Sequence, residues 1–485
     1  MASEASGAAR TKARYGKAVG VSAAAAVGGL LFGFDSSVIN GAVDALTGHF
    51  KLTSVMSGLA VSIALIGCAI GAWYAGRLAD HWGRRKVMLL SAGLFVVSSV
   101  GAGLAFAVWD LMLWRFVAGL SIGAASVIAP AYISEIAPAR LRGALASLQQ
   151  LAITTGIFVA LLSDAVLADA ADGAAKELWL GTAAWRWMFL VGVVPSVVYG
   201  VLALLVPESP RFLAGRGRDA EAASVLGRVS GEPRPDDKVA EIKETLRGER
   251  RPSAADIRGP RLGLHPLVWA GIILAALQQL TGINVIFYYS TTLWHSVGFT
   301  ESDSFTVSVI TALTNLVLTF VAIALVDRIG RRLLLLIGSA GMFVGLAAMA
   351  VSFSQAHGSG ANVTLPSPYD LIALVGANWF VVFFAATWGP VMWVLLSEMF
   401  PNRMRATALA IGTAANWLFN FAVTTAFPPA AANLGLTWVY GSFAFFVLLS
   451  YFFVQAKIPE TKGRTLEEMT GRTQAELRAG AAPTS

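Results

Sequence analysis

The chain has 485 residues, of which 56% are hydrophobic and only 13% charged, with a mean hydropathy of +0.65 and a formal net charge of +7. Soluble globular chains carry about 25% charge, so a water-soluble multidomain protein is excluded and an all-α polytopic membrane protein fits, each crossing taking about 20 apolar residues. The single cysteine, Cys68, rules out an intrachain disulfide and a thiolate metal cluster, and the five scattered histidines give no ligand spacing, so neither metal nor cofactor is expected.

In chain order, residues 1–17 are small, polar and basic and read as an N-terminal tail without a secretory signal. Apolar runs follow at 18–41, 54–76, 87–108, 111–133, 144–168 and 186–206. A polar stretch occupies 207–265, where segments 219–229 and 237–247 read as short amphipathic helices broken by Pro233, Pro235 and Pro252. Six more runs lie at 266–294, 303–326, 333–353, 369–396, 406–430 and 435–456, before a polar tail at 457–485. The expected organisation is an N-terminal six-helix bundle at 18–206, an intracellular helical linker at 207–265 and a C-terminal six-helix bundle at 266–456. Both tails are expected on the cytoplasmic side.

The basic residues set that orientation. With the N-terminus inside, all but four of the 36 Lys and Arg fall in inner segments, as the positive-inside rule requires. The four are Lys51 and Lys176 in outer loops, Arg186 at an outer boundary and Arg115 within a span. The net positive charge is therefore a topology signal, and a nucleic-acid partner is not expected. Trp73, Trp109, Trp179, Trp185, Trp187 and Trp438 fall at span ends and read as interfacial anchors.

The two halves repeat. Asp80-His-Trp-Gly-Arg84-Arg85 recurs as Asp327-Arg-Ile-Gly-Arg331-Arg332. Ser-Glu135-Ile-Ala-Pro-Ala-Arg-Leu-Arg142 recurs as Ser-Glu398-Met-Phe-Pro-Asn-Arg-Met-Arg405, and Pro-Glu208-Ser-Pro-Arg211 as Pro-Glu460-Thr-Lys-Gly. Three motif pairs in the same order, all at inner helix ends, indicate a duplication. A duplicated six-span unit is the pattern of a carrier that alternates access around a midplane site.

Asp35 lies inside the first apolar run and Arg115 inside the fourth. Such groups cost about 2.5–3.5 kcal/mol each on insertion scales, so a functional site is their default reading and a static ion pair the competing one. An Asp balanced between a nearby Arg, which favours ionisation, and burial, which opposes it, can take up and release a proton. The spans also hold Gln150, Gln278, Gln279, Asn284, Asn315, Asn416, Trp393 and Trp417. Neutral amides supply the donors and acceptors that sugar hydroxyls need, and a Trp face suits the apolar face of a pyranose. The alternative is interhelical hydrogen bonding, worth about 0.6 kcal/mol on average.

Over nearly its whole length the chain resembles a sugar porter of the major facilitator superfamily. The resemblance rests on Gly-Arg77-Leu-Ala-Asp80…Gly83-Arg84-Arg85, Pro-Glu208-Ser-Pro-Arg211, Gln278-Gln279-Leu-Thr-Gly-Ile-Asn284…Tyr288-Tyr289 and Pro-Glu460-Thr-Lys-Gly. It implies the major facilitator fold, with twelve transmembrane helices in two pseudo-symmetric six-helix bundles and cytoplasmic termini. It also implies monosaccharide transport in a plasma membrane, a bacterial inner membrane being the natural setting, by a chain working as a monomer in lipid.

The resemblance further implies proton symport, because proton-coupled sugar porters carry an acid at the Asp35 position with Arg115 opposite, where facilitators of the human glucose-carrier type carry Asn. It adds Phe32, Ile157, Tyr288 and Gly389 to the sugar pocket. Glucose is the expected substrate, then galactose or another hexose, because the related bacterial xylose carrier has Gln at both the Ile157 and Asn416 positions. Asp80, Arg84, Arg85, Glu135, Arg142, Glu208, Arg211, Asp327, Arg331, Arg332, Glu398, Arg405 and Glu460 match a cytoplasmic charge network, implied to latch the bundles in the outward-facing state. Helix capping and topology are the plainer roles for the same residues.

No Gly-x-x-x-x-Gly-Lys-Ser/Thr loop is present, which disfavours ATP-driven transport, and no nucleophile elbow or metal motif points to an enzyme. Asn362-Val-Thr364 is a glycosylation sequon in an expected outer loop. A proton-independent uniporter with the same pocket, a sugar-sensing receptor with a transporter fold and, more remotely, a multidrug exporter are the competing readings.

Overall fold

The structure is a computed structural model that describes residues 2–138, 141–248, 257–261, 263–357 and 364–462. Its first helices are α1 (Ala2–Phe50), α2 (Ser54–Trp82), α3 (Arg84–Gly103), α4 (Val108–Ile136) and α5 (Arg142–Ala170). A short antiparallel hairpin, Glu177–Trp179 with Thr182–Ala183, leads into α6 (Ala184–Val191) and α7 (Val193–Leu205), which together occupy the run expected as one span. Three shorter helices follow, α8 (Pro210–Gly215), α9 (Asp219–Val225) and α10 (Pro235–Gly248). The remaining helices are α11 (Pro266–Leu280), α12 (Ile283–Ser296), α13 (Glu301–Ile329), α14 (Arg331–Phe353), α15 (Tyr369–Phe383), α16 (Gly389–Glu398), α17 (Asn402–Leu434) and α18 (Leu436–Lys457).

Among the described residues, eleven helical segments are long and apolar enough to cross a membrane. The 33-residue α17, with its buried amides Asn416 and Asn420, is the twelfth long helix. The expected apolar runs largely coincide with these helices, but the run at 87–108 overreaches, since α3 ends at Gly103 and Val108 already opens α4. The first helix outlasts its run, reaching Phe50 through the polar residues Asp44, Thr47 and His49. The linker segment expected at 219–229 is α9 continued by a π turn at Leu226–Ser230. Pro235, expected to break a helix, opens α10 instead, because the first turn needs no N–H from that position. Arg142 and Asp327 have side chains outside the described set, as do the sequon residue 362 and the tail beyond 462.

The chain forms two compact units. The first holds the described residues through 248 together with Phe287–His295 and Phe299–Ala312; the second holds those from 257 to Ile286, Ser296–Gly298 and Leu313 onward. In the first unit α1 and α5 approach at backbone distance. Gly33 packs on the Ile153 carbonyl and Gly156 on the Leu30 carbonyl, so a Cβ at either position would collide with the facing main chain. Small residues at such crossings let membrane helices close on one another, where dispersion rather than the hydrophobic effect drives packing. Leu213, Ala222, Leu226 and Val239 give α8–α10 a small core of their own, and Ser230 Oγ ties it to the Ile136 carbonyl at 2.7 Å.

Candidate functional site

In the first unit, Arg115 on α4 meets Asp35 on α1. Its Nη1 donates to Asp35 Oδ2 at 2.9 Å and to the Asp35 backbone carbonyl at 3.1 Å. The Arg115 side chain is only 2% exposed and that of Asp35 11%. Burying two such charges is costly unless they pair and hydrogen-bond, and this geometry supplies both. A small cavity beside the guanidinium is lined by Ser36, Cys68, Ile122 and Tyr288, so Arg115 and the expected pocket residue Tyr288 border the same space.

On α5, Gln150 and Ile157 are half-buried, and so is Phe32 on α1. The Ile157 backbone stands against Gly33, two residues from Asp35, which fixes this part of α5 against the ion-pair helix. The neighbouring Gln149, passed over in the sequence, buries both amide atoms without a hydrogen-bond partner and packs on Gly29.

The second unit holds a continuous amide network. Gln278 Nε2 donates to the Trp388 carbonyl at 3.0 Å, while Gln278 Oε1 accepts from Asn416 Nδ2 at 2.9 Å and from Gln279 Nε2 at 3.4 Å. Gln279 Oε1 in turn accepts from Asn284 Nδ2 at 2.6 Å. Two interruptions of regular helix make this possible. Between α11 and α12 the chain turns at Gly282, φ +81, whose missing side chain makes room for the Phe443 ring and sets Asn284 back toward Gln279. Before α16 a π turn at Phe384–Trp388 precedes Gly389 and Pro390. At the end of this turn the Trp388 carbonyl accepts from Gln278. The Trp388 indole is anchored to the Leu335 carbonyl and Ser339 Oγ, both at 3.0 Å. Single π turns of this kind recur at functional sites.

Asn315 on α13 and Trp417 on α17 are buried, whereas Trp393 on α16 is 37% exposed. No hydrogen bond joins Trp393 to the network among the described residues. Gly389 is the first residue of α16, following the turn that carries Trp388. The network thus brings together four of the predicted amides, Gln278, Gln279, Asn284 and Asn416.

The charged motifs close two further networks, one per unit. In the first, Glu208 accepts from the backbone N–H groups of Arg84 (2.9 Å) and Arg85 (3.2 Å). Arg84 pairs with Glu135 at 2.9 Å and Asp80 at 3.2 Å, Ser209 Oγ donates to Glu135, and Arg85 caps the Ala203 and Leu204 carbonyls. In the second, Glu460 accepts from the N–H groups of Arg331 (3.0 Å) and Arg332 (3.1 Å). Arg331 grips Glu398 with both Nε (3.1 Å) and Nη2 (2.9 Å), Thr461 Oγ1 donates to Glu398 at 2.6 Å, and Arg332 caps Gln455. Arg405 donates to the Phe400 carbonyl of its own unit, and Arg211, on α8, is half-buried. Burial alone would raise the Glu460 carboxyl, but the N–H donors of Lys462, Arg331, Arg332 and Thr461 outweigh it and hold the group below the ordinary glutamate value.

Two polar features escaped sequence reasoning. Asn40 and Thr291 share three hydrogen bonds in the first unit, Thr291 N and Oγ1 reaching Asn40 Oδ1 at 3.0 and 2.9 Å and Oγ1 reaching the Asn40 carbonyl at 2.6 Å. Asp164 is a fully buried acid on α5. Its signal was present, since an Asp in an apolar run is costly wherever it stands.

Comparison with known proteins agrees with this anatomy. The family described as sugar (and other) transporters matches residues 21–472. The glucose transport protein of Synechocystis sp. is 50% identical over 450 residues, covering 93% of this chain and 96% of that protein. The D-xylose-proton symporter of Escherichia coli K12 is 35% identical, covering 92% and 93%. Among solved structures, the inward-open conformation of the xylose transporter XylE from E. coli superposes with a TM-score of 0.79 at 32% identity, covering 93% of this chain and 99% of that one. Twelve long helices, repeated charge motifs and these likenesses lead to one conclusion: the chain is a multi-pass membrane protein with the major facilitator fold and belongs to the sugar transporter family.

Proposed function

We propose that the protein is a bacterial inner-membrane carrier that imports a monosaccharide, D-glucose by preference, together with a proton. The observation that carries this reading is the buried Asp35–Arg115 pair. It puts one acid where protonation and loss of the ion pair are linked events. Protonating Asp35 frees Arg115 from a Coulomb partner, and ionising it restores the pair; coupling requires only that the two forms favour different access states. The similarity to a glucose transport protein and to a sugar–proton symporter supports the same reading.

The sugar's hydroxyls are assigned to Gln278, Gln279, Asn284 and Asn416, with Gln150, Asn315, Phe32, Ile157, Tyr288, Gly389, Trp393 and Trp417 completing the site. The six-span bundles at 18–206 and 266–456, joined by the linker, are the bodies that alternate access. The two charge networks brace the helix ends of each body, and the proposed latch between the bodies draws on the same residues. The test is uptake into proteoliposomes. A symporter concentrates labelled glucose when an inward proton gradient is imposed and stops doing so when a protonophore is added. Uptake that only equilibrates and ignores the protonophore identifies a uniporter; binding without flux identifies a receptor.

A further inference from the structure

Asp164 is the one acid of the first unit's described helices that is completely buried, at 0% exposure; among the described residues no side chain hydrogen-bonds its carboxyl oxygens, and only the Gly41 backbone of α1 interacts with them. The charged and titratable side chains on the helices packed against α5 are otherwise engaged or remote. On α1 the described ones are Lys17, exposed and 24 residues before Gly41, Asp35, paired with Arg115, Asp44, bonded to Thr292, and His49. On α4 they are Asp110, Arg115, Glu135 and Tyr132, which donates to the Pro207 carbonyl, and on α6 Arg186, which caps the Gly103 and Ala105 carbonyls. None of them forms an ion pair or hydrogen bond with Asp164 among the described residues. An isolated ionised carboxylate in such surroundings costs far more than the neutral acid, so the arrangement has no purely structural merit: an Asn or Leu would fill the space without that liability.

The side chain of Asp164 packs on Gly41 of α1, where a Cβ would strike its Cβ, Cγ and Oδ2. Gly41 also lines a second small cavity with Asp44, Thr291, His295 and Glu301. Gly41 therefore borders both Asp164 and an acid-lined cavity. In that cavity Thr292 Oγ1 donates to Asp44 at 2.7 Å, His295 Nδ1 lies 3.8 Å from Asp44, and Glu301 accepts from the Ala174 N–H at 2.8 Å. Along α1 the order is Asp35, then Gly41 with Asp164 beside it, then Asp44. At about 1.5 Å per residue, Gly41 lies roughly 9 Å along the axis from Asp35 and Asp44 about 4.5 Å beyond.

We propose that Asp164 is a second proton-carrying carboxyl of the transport cycle, relaying a proton between the Asp44–His295–Glu301 cavity and Asp35. In each step one carboxylic O–H gives up its proton and the next carboxylate takes it, directly or through water; no other bond changes. The inference rests on the reading of Asp35 as the coupling acid.

The experiment compares the full-length wild type, Asp35→Asn and Asp164→Asn in liposomes, with labelled D-glucose as probe. Asp164→Asn is expected to keep sugar counterflow within about twofold of wild type while proton-driven accumulation slows about tenfold and its dependence on external pH changes. Accumulation at the wild-type rate across the whole pH range overturns the relay. So does rescue of accumulation in Asp164→Asn to no greater extent by Asp164→Glu, which restores a proton carrier, than by Asp164→Gln. Difference infrared spectroscopy in the carboxylic C=O region decides the matter if Asp164→Asn does not fold. Asp35→Asn should retain a carboxylic band that responds to pH and to glucose, and its absence refutes a second carrier. Should the wild type move no protons with sugar, the coupling reading fails by itself, and the infrared band still reports whether a second carboxyl exchanges its proton.

Discussion

Glu208 and Glu460 hold equivalent places in the two halves of the chain. Each carboxylate accepts from two successive backbone N–H groups of an arginine pair, Arg84 and Arg85 in one unit, Arg331 and Arg332 in the other, at 2.9–3.2 Å. Those N–H groups open α3 and α14, and a helix start has unsatisfied donors and a partial positive charge. A glutamate from a segment more than 120 residues away supplies the cap. Each arginine pair is preceded by a glycine with nearly the same backbone, Gly83 at φ 94, ψ 161 and Gly330 at φ 104, ψ 159.

That backbone region is almost exclusive to glycine and costs other residues about 1–3 kcal/mol. A Cβ at either glycine would also strike the glutamate it faces. Gly83→Ala and Gly330→Ala should therefore each lower the apparent melting temperature in detergent by several degrees. Gly76→Ala, a mid-helix site where a Cβ meets nothing, should not destabilise. Equal melting of all three variants would show that the two junctions are not strained.

The depressed Glu460 carboxyl makes a pH prediction whose sign can be worked out. The folded value lies below the unfolded one, which is about 4.3, so the group's contribution is complete above that value and disappears as pH falls through the folded value. Glu460→Gln should melt lower than wild type at about pH 7, keep that deficit unchanged down to about pH 5, and lose it only under stronger acid. A deficit that shrank between about pH 7 and 5 would contradict the backbone-capped carboxylate.

Much of this architecture is legible in the sequence because the bilayer enforces it. Long apolar runs have few alternatives to helix when every backbone group needs an internal partner, and the repeated charge motifs stand out against so few charges. What the sequence hides is where helices are interrupted. The run at 266–294 reads as one span, yet it breaks at Gly282 and is kinked at Tyr289; apolar character reports burial and not backbone path. The pairing of intramembrane acids is hidden for a related reason. Asp35 and Asp164 look alike as acids in apolar runs, and only the packing of α4 against α1 gives one of them an arginine. The motif string did place Gln278, Gln279 and Asn284 together, since Thr281-Gly282 between them is a break signal as well as a family signature.

Asp35→Asn should abolish proton-driven accumulation and leave sugar exchange measurable. The available drive is about 2.3 kcal/mol per 100 mV for one charge, plus about 1.4 kcal/mol per pH unit, enough for a several-hundred-fold gradient. Neutral Asn still accepts one hydrogen bond from Arg115 but has no carboxyl to protonate. A variant that concentrates glucose as well as the wild type removes Asp35 from the coupling role.

Gln279→Ala and Asn284→Ala should each weaken glucose binding by about 1–3 kcal/mol, because removing one amide leaves its neighbour's polar atom unsatisfied in a buried site. Their mutual bond at 2.6 Å predicts non-additivity. The double variant should lose less than the two single losses combined. Titration followed by tryptophan fluorescence measures it, and unchanged affinity in both single variants would take this helix pair out of the pocket.

Specificity is expected to turn on Ile157 and Asn416. Ile157 sits seven residues after Gln150, two turns along the same face of α5, and presents an apolar wall where the related xylose carrier has an amide. Asn416 is committed through Nδ2 to Gln278, and its side chain is one methylene shorter than the glutamine of that carrier. In the proposed pocket this shorter side chain would leave room for the hydroxymethyl group that distinguishes glucose from xylose. A single methylene discriminates by about 1–3 kcal/mol, so unlabelled xylose should compete with labelled glucose uptake about ten- to a hundredfold less well than glucose itself. Ile157→Gln should narrow that gap by giving xylose a hydrogen-bonding partner, and Ile157→Leu, which keeps the wall, should not. Galactose, differing in the orientation of one hydroxyl, should compete far better than xylose. Equal competition by xylose and glucose in the wild type, or an Ile157→Gln variant with unchanged preference, would remove the specificity assignment while leaving the carrier and its ion pair in place.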